Sequence, residues 1–351
     1  MRKAFLSKTP EKILIIRLSS IGDVLLTTPV IRLLRKKFPG SKIDFVVKKQ
    51  FAPVLADHPQ VDRLYIFDKH AESSSLRALK KEIRQQQYDL IVDLHNNIRS
   101  KFLAVGSHAK MILCYRKGII PRLLYVKFKL KLSDQIVPAY QKYINSLKIY
   151  GIKDDYQGLD FYVHPEVERQ VRQKYRDFWQ EKKHSIIGIV PGAQHPTKRW
   201  TSEGFSSVIN YLVEKGKHQI ILFGNQDDRK IAATLDLPSS SKILNSIGEL
   251  SLREAGALMN CCDLVITNDS GLMHLATALK KKVLAIFGST TEELGFFPYL
   301  TEHIVIQNNS LTCRPCSHIG RKKCPKKHFK CMKDISTQHV IDAIETILAK
   351  T

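Results

Sequence analysis

Four residues near the start of the chain have the types and the position needed for acid–base chemistry. Ser19, Ser20, Gly22 and Asp23 follow the apolar run 12–16 and precede an apolar-periodic stretch, so they form the turn between a predicted strand and a predicted helix. An aspartate in such a turn could act as a general base that takes the proton of an attacking hydroxyl within hydrogen-bond reach. Asp23 could equally cap the helix, and the spacing alone does not choose between the two roles.

A second turn, in the C-terminal half, has the pattern of an anion site. Asp269, Ser270 and Gly271 end an apolar run and begin a predicted helix, whose first N–H groups and positive dipole end would face a phosphate. Gly271 permits close approach of a ligand to the backbone, and His274 would lie one turn along the same helix. The structural alternatives are Ser270 or Asp269 as a simple cap and His274 as a core residue.

A third loop places a cation after another apolar run. Gly192, Thr197 and Lys198 lie within the loop 191–200, where Lys198 could pair with a phosphate. The alternative is a solvated surface charge. The chain has no G-x-G-x-x-G fingerprint at its first turn, so a dinucleotide pyrophosphate site is not indicated.

The elements that position these turns alternate between buried strands and helices, which predicts parallel α/β sheets. The predicted strands are 12–17, 43–47, 88–94, 184–190, 218–223, 263–267 and 282–288. Pro29 either begins the helix of the stretch 24–38, capped by Thr27 or Thr28, or kinks it. A chain of 351 residues fits two domains. The predicted organisation is an N-terminal domain 1–163, a linker helix 164–183, a C-terminal domain 184–335 and a C-terminal helix 336–351.

The formal net charge of +23 predicts an anionic partner such as nucleic acid, an acidic membrane face or a phosphorylated substrate. Between Arg99 and Lys153 twelve Lys or Arg residues occur against one acid, Asp134. No apolar run approaches the roughly 20 residues that span a bilayer, and the first residues lack the features of a signal peptide. We therefore expect a cytoplasmic protein.

Four cysteines cluster near the C-terminus with the spacing C-x₂-C-x₇-C-x₆-C, namely Cys313, Cys316, Cys324 and Cys331. Four thiolates can form a tetrahedral zinc site, but these gaps are not those of a standard zinc finger or ribbon. We expect reduced cysteines without metal, and a structural zinc is the weaker alternative.

Taken in order, the motifs resemble those of the ADP-heptose:lipopolysaccharide heptosyltransferases, glycosyltransferase family 9. The segments that carry the resemblance are RLSSIGDV at 17–24, DLHNNIRS at 93–100, PGA at 191–193 with KRW at 198–200, and NDSGLMH at 268–274. The cysteine-containing tail is most similar to the second inner-core enzyme type. The resemblance covers nearly the whole chain.

The resemblance implies a GT-B architecture, with two Rossmann-like domains facing each other across a cleft and inverting transfer of heptose to the lipopolysaccharide inner core. Asp23 matches the family's catalytic base, and Lys198 matches the lysine that holds the donor diphosphate. The remaining donor positions it implies are Gly192, Thr197, Asp269, Ser270, Gly271 and His274. The acceptor positions it implies are Ser19, Ser20, Gly22, His95 and Arg99.

The implied partners are an ADP-sugar donor, an anionic lipopolysaccharide core or lipid A acceptor, and the cytoplasmic surface of the inner membrane. Transfer is expected without a metal cofactor. Two alternatives are a related GT-B enzyme with another nucleotide-sugar donor and a basic nucleic-acid-binding protein. The second lacks a zinc-finger, RNP or helix-turn-helix signature.

Overall fold

The computed structural model of the chain describes most of its length. The described residues are 9–72, 75–133, 135–180 and 185–349. Residues 181–184 and 350–351 lie outside this description. The predictions that fall on them are the end of the linker helix, the first residue of a strand and the end of the C-terminal helix. The start of the chain, 1–8, also lies outside this description.

The chain is built from strands and helices that alternate along the sequence. The strands are β1 (Lys12–Ile16), β2 (Lys42–Lys48), β3 (Arg63–Phe67), β4 (Leu90–Asp93), β5 (Met111–Cys114), β6 (Ser185–Val190), β7 (His218–Leu222), β8 (Ile243–Asn245), β9 (Leu264–Asn268), β10 (Lys282–Phe287) and β11 (His303–Gln307). The helices are α1 (Ile21–Leu25), α2 (Thr28–Lys37), α3 (Leu76–Gln86), α4 (Ile98–Ala104), α5 (Ile119–Phe128), α6 (Ala139–Ile144), α7 (Pro165–Lys174), α8 (Ser202–Glu214), α9 (Arg229–Ala232), α10 (Leu252–Met259), α11 (Gly271–Ala278), α12 (Lys330–Lys333) and α13 (Thr337–Ala349).

The described residues group into two compact units. The first unit consists of the described residues within Met1–Gly118 and Ala139–Tyr162. The second consists of the described residues within Ile119–Pro138 and Val163–Thr351. The segment 119–138, which the sequence analysis assigns to the N-terminal domain, thus groups with the second unit. Its contacts explain why, because Tyr125 and residues after it bond to side chains and carbonyls of that unit.

Each unit contains one parallel sheet whose strand order reverses at a switch point. In the first unit the order is β3-β2-β1-β4-β5, and in the second it is β11-β10-β9-β6-β7-β8. The central strands are buried on both faces, as in β1, where Ile13–Ile16 are fully buried. The carboxyl ends of β1 and β4 meet in the first unit, and those of β6 and β9 meet in the second. Ligands of such sheets bind at these places.

Two details of the helices bear on the predictions. The stretch 24–38 is interrupted after α1, and α2 begins at Thr28 with Thr27 as its cap residue and Pro29 in its first turn. The predicted linker helix is α7, followed by a 3₁₀ turn at Arg176–Gln180. Since α7 packs against α10, it belongs to the second unit rather than standing apart from it.

No helix among the described residues is both long and apolar enough to cross a membrane.

Candidate functional site

The switch point of the first unit brings together most of the residues predicted for acceptor binding. Ser19 and Ser20 occupy the turn that follows β1, and Gly22 and Asp23 lie in the first turn of α1. His95 follows the neighbouring strand β4. The charge of Asp23 influences the imidazole of His95, so the two side chains share one local environment.

The carboxylate of Asp23 accepts hydrogen bonds at both oxygens. Its Oδ1 lies 2.7 Å from Nη2 of Arg17 and 3.2 Å from the hydroxyl of Tyr143. Its Oδ2 accepts from the backbone N–H of Ser20 at 3.2 Å and from the Ser20 hydroxyl at 3.0 Å. The side chain remains 23% exposed, so a hydroxyl from outside can reach the carboxylate.

These partners keep Asp23 ionised. Burial opposes its ionisation, but the positive charge of Arg17 and the two hydrogen bonds from Ser20 outweigh burial and lower the pKa of the carboxyl below its usual value. Asp23 is therefore a carboxylate throughout the physiological pH range, able to accept a proton. The bond to the Ser20 backbone also ties down the start of α1. The geometry accommodates both roles that the sequence left open.

Arg17 and Tyr143 are site residues that sequence reasoning missed. The Arg17 guanidinium is only 7% exposed and donates to the carbonyl of Ser19 at 2.8 Å and to that of Leu94 at 2.6 Å. It also lies over the ring of Tyr143, with 5.3 Å from Cζ to the centroid. The charge of Arg17, just before the turn, is a weak sequence signal for a site residue. Tyr143 is 120 residues from Asp23, so no local sequence pattern links the two.

The loop after β4 is organised by a buried aspartate. Asp93 is fully buried, and its Oδ1 accepts from the backbone N–H groups of His95 at 3.0 Å and Asn96 at 2.7 Å. Its Oδ2 accepts from the hydroxyl of Ser100 in α4 at 2.8 Å. This arrangement positions His95, while Arg99 lies on the exposed side of α4.

His95 is uncharged at physiological pH. Burial, followed by the nearby charges of Arg17 and Lys117, lowers its pKa to about 4. Its Nδ1 is buried and has no hydrogen-bond partner among the described residues. A neutral imidazole offers one donor and one acceptor nitrogen.

The switch point of the second unit brings together the predicted donor residues Lys198 and Asp269. The Nζ of Lys198 lies 2.7 Å from Oδ2 of Asp269, and the two side chains are 15% and 7% exposed. The same oxygen accepts from the hydroxyl of Thr290 at 2.6 Å. Lys198 is therefore neither solvated nor unpaired in this structure.

The loop 191–200 is held by bonds that explain its residue types. Thr197 is buried, and its hydroxyl accepts from the backbone N–H of Arg321 at 2.7 Å and lies 3.0 Å from the Ser289 hydroxyl. A Cβ at Gly192 would lie 2.3 Å from a carboxylate oxygen of Asp228, so a larger residue there would displace the Asp228 side chain. Both residues shape the loop that presents Lys198.

Two further residues of this region were not anticipated. Asn268, at the end of β9, accepts from the backbone N–H of Trp200 at 2.9 Å and donates to the carbonyl of Pro191 at 2.8 Å. It thereby joins the loop after β6 to the turn after β9. Arg314 is 8% exposed and donates to the carbonyls of Gly288 and Thr290, among others. It supports the segment from which Thr290 contacts Asp269.

A helix begins directly after β9, as the sequence predicts. Ser270 precedes α11, which begins at Gly271, and its side chain makes no capping bond. The first N–H groups of α11 are thus not satisfied by that side chain. His274 is buried on α11, as the core alternative predicted. Its burial does not place it against a nucleotide, so a donor role for it stays a prediction.

The four tail cysteines are free thiols and lie close enough to influence one another. Cys331 is buried, and burial, together with the neighbouring cysteines, raises the pKa of its thiol to about 12. Burial raises the pKa of Cys316 as well. Among the residues that the structure describes, no group of three or more Cys, His, Asp or Glu is arranged to hold a metal ion.

Comparison with known proteins gives one consistent result. The sequence profile of glycosyltransferase family 9 (heptosyltransferase) matches residues 76–328. Lipopolysaccharide heptosyltransferase 2 of Salmonella typhimurium is 25% identical over 97% of this chain and 99% of its own length.

Two solved structures share the fold. The family 9 glycosyltransferase of Veillonella parvula has a TM-score of 0.82 and 27% identity, covering 97% of this chain and 98% of its own. ADP-heptose LPS heptosyltransferase II of E. coli has a TM-score of 0.72 and 23% identity, covering 97% and 99%. The predicted GT-B fold class, with two Rossmann-like parallel sheets, is confirmed.

Proposed function

We propose, from the premise that this chain belongs to glycosyltransferase family 9, the heptosyltransferase family, that it transfers heptose from ADP-L-glycero-D-manno-heptose to the inner core of lipopolysaccharide. Membership of the family makes the chain a glycosyltransferase, as its sequence predicts. The specific donor and acceptor are supported by its full-length similarity to lipopolysaccharide heptosyltransferase 2.

The observation that carries the mechanism is the ionised, partly exposed carboxylate of Asp23 at the switch point of the first unit. In the proposed reaction the acceptor hydroxyl oxygen attacks the anomeric carbon while the bond from that carbon to the diphosphate breaks. The hydroxyl proton passes to Asp23, and a single displacement of this kind inverts the anomeric centre. The hydroxyl of Ser20 can rotate away from Oδ2 to admit the acceptor.

The leaving ADP gains negative charge, and the second unit offers two sources of stabilisation. Lys198 supplies a full positive charge, and the N-terminus of α11 supplies oriented N–H groups and the positive end of the helix dipole. Both act without a metal, so we propose metal-independent transfer. Asp269 holds Lys198 in place through their 2.7 Å ion pair before the donor arrives.

On the acceptor side, we propose that His95 and Arg99 bind the sugar hydroxyls and phosphates of the core. The neutral imidazole suits a hydroxyl, and the exposed guanidinium of Arg99 suits a phosphate. We also propose that the enzyme works in the cytoplasm, in peripheral association with the inner membrane that holds its acceptor.

Calorimetric titration with ADP, UDP, GDP and NAD in the presence of EDTA tests the donor assignment. Selective ADP binding supports an ADP-sugar donor and recognition without metal. Preference for UDP or GDP would keep the family and reassign the sugar donor. Absence of binding to every nucleotide would refute the donor site and leave the basic surface, with nucleic acid as the ligand to test next.

A further inference from the structure

An exposed stretch of large apolar residues runs from residue 119 to residue 132, and we name it the basic–apolar segment. It contains α5, which has no buried residue. Six apolar side chains in it are 47–70% exposed, namely Ile119, Ile120, Leu123, Phe128, Leu130 and Leu132. Exposed apolar residues are ordinarily scattered singly over a protein surface, and a concentration of this kind marks an interaction surface.

Polar groups of the segment bond to the second unit. The hydroxyl of Tyr125 lies 3.1 Å from that of Thr291, and Nζ of Lys129 donates to the carbonyl of Pro315 at 2.5 Å. Nζ of Lys131 lies 2.8 Å from a carboxylate oxygen of Glu293. Contacts of this kind keep the segment in place while the six apolar side chains named above stay exposed.

The charge of the segment selects the kind of partner. Its 14 residues include four cations, Arg122, Lys127, Lys129 and Lys131, and no acid. A second copy of this chain carries a net charge of +23, so pairing between copies would bring like charges together. Nucleic acid would satisfy the cations but would offer no apolar phase to six aliphatic and aromatic side chains. An anionic lipid surface provides both.

We propose that the basic–apolar segment docks the enzyme on an anionic bilayer, with its six exposed apolar side chains inserted among the acyl chains and with Arg122 and Lys127 at the phosphate level. The proposal deepens the proposed function, on which it rests, by naming the element that contacts the membrane. Long lysine and arginine side chains can place their apolar stems in the interface and their charges among the headgroups. Binding then combines apolar burial with electrostatic attraction.

Co-sedimentation of the full chain with phosphatidylglycerol-containing vesicles tests this docking. The test variant is Ile120→Ser/Lys127→Ser/Phe128→Ser. The matched control, Ile149→Ser/Lys153→Ser/Tyr156→Ser, also removes an exposed isoleucine, lysine and aromatic residue, but from the surface of the first unit. Circular dichroism and melting temperature establish that both variants fold.

We expect the test variant to bind these vesicles at least about a hundredfold more weakly than the unaltered chain. The lost lysine accounts for about fivefold, and each lost apolar side chain accounts for about tenfold or more. The control variant should bind within about twofold of the unaltered chain. Equal binding by the two variants, or equal binding of the unaltered chain to neutral phosphatidylcholine vesicles, would overturn the proposal.

A separate assay keeps this proposal distinct from the proposed function. Transfer by the unaltered chain to a de-acylated, soluble acceptor without vesicles tests the function alone. Vesicle binding without transfer would refute the proposed function and retain the docking surface. Transfer without vesicle binding would refute the docking surface and retain the proposed function.

Discussion

Replacement of Asp23 by asparagine separates its proposed catalytic role from its structural one. Asparagine has nearly the same shape, so Oδ1 can still accept from Arg17, but the amide cannot take a proton from the acceptor. Asp23→Ala is a poorer probe because it removes both acceptor oxygens, whereas asparagine keeps the one that faces Arg17 and Tyr143 and loses only the one that faces Ser20.

The structural effect of Asp23→Asn follows from the surroundings of Arg17. The guanidinium is 7% exposed, keeps its bonds to two backbone carbonyls and loses its counter-charge. Breaking a buried ion pair costs about 3–5 kcal/mol. Because the Asp23 side chain is 23% exposed, we expect the lower end of that range, about 3 kcal/mol.

A loss of this size cannot abolish activity through unfolding. A domain that begins with about 5 kcal/mol of stability would keep about 2 kcal/mol, and only about 3% of the chains would be unfolded. Loss of a general base reduces turnover by about 10²–10⁴-fold. Transfer assays at 20 °C, beside denaturant unfolding of both proteins, therefore distinguish the two effects.

The pH dependence provides a second readout of the same carboxylate. Since the pKa of Asp23 is lowered in the folded protein, the acid limb of the turnover profile should fall below the ordinary aspartate value of about 3.9. The stabilisation from its pairing with Arg17 is present above that unfolded-state value and is lost as the pH falls through the lower folded-state pKa. Asp23→Asn should lack the acid limb. An Asp23→Asn protein that is folded and turns over within about threefold of the unaltered enzyme would refute the base assignment, since that loss lies far below the range for a general base.

Three further outcomes are expected from the structure. Lys198→Ala should weaken ADP binding by about 10- to 100-fold in calorimetry. Adding Asp269→Asn should restore part of the lost affinity, because it removes the carboxylate that is left unpaired beside the diphosphate. If the second substitution restores no affinity, the pairing of Lys198 with Asp269 is contradicted. Arg314→Lys should lower the free energy of unfolding by about 3 kcal/mol in denaturant titration, since three donors replace five in a buried network; an unchanged midpoint would contradict this. His58 is buried, and its pKa is lowered to about 4. As the pH falls, the unfolded chain therefore binds a proton at His58 before the folded chain does, and the free energy of unfolding should fall by up to about 3 kcal/mol from pH 6.5 to 4. His58→Gln should reduce this pH dependence in thermal melts, and an unchanged pH dependence would contradict the role of His58.

The sequence was a good guide to elements whose apolar runs are long and bounded by turn residues. The predicted strand 218–223 is β7, and the predicted strand 282–288 is β10, because each is buried on both faces and reads as a continuous apolar run. Edge strands carried less signal. β8 has three residues, none of them buried, and it is absent from the strands predicted from the sequence.

Domain membership was harder to derive, because it depends on side-chain partners distant in sequence. The segment 119–138 lies between two parts of the first unit along the chain, and it groups with the second unit through partners more than 160 residues away. Likewise, nothing in the helical pattern of α7 indicates that it packs on α10.

In the candidate site, too, local sequence patterns could be used and long-range contacts could not be predicted. The segments that carry Asp23, Lys198 and Asp269 could be predicted because they follow buried strands, where switch-point ligands bind, and the roles of these three residues stay predictions. Tyr143 and Thr290, which contact two of these carboxylates, come from positions 120 and 21 residues away. Their roles depend on how the chain returns to the sheet edge, which no local pattern encodes.

Incubation of the purified enzyme with ADP-heptose and a heptose-accepting inner-core saccharide in EDTA tests heptose transfer directly. Mass spectrometry would measure the product, and nuclear magnetic resonance would measure its anomeric configuration. We predict an acceptor heavier by one heptose, with the anomeric configuration opposite to that of the donor, and release of ADP. An unchanged acceptor in the presence of a folded, ADP-binding enzyme would contradict heptose transfer, and retention of configuration would contradict the single displacement at Asp23.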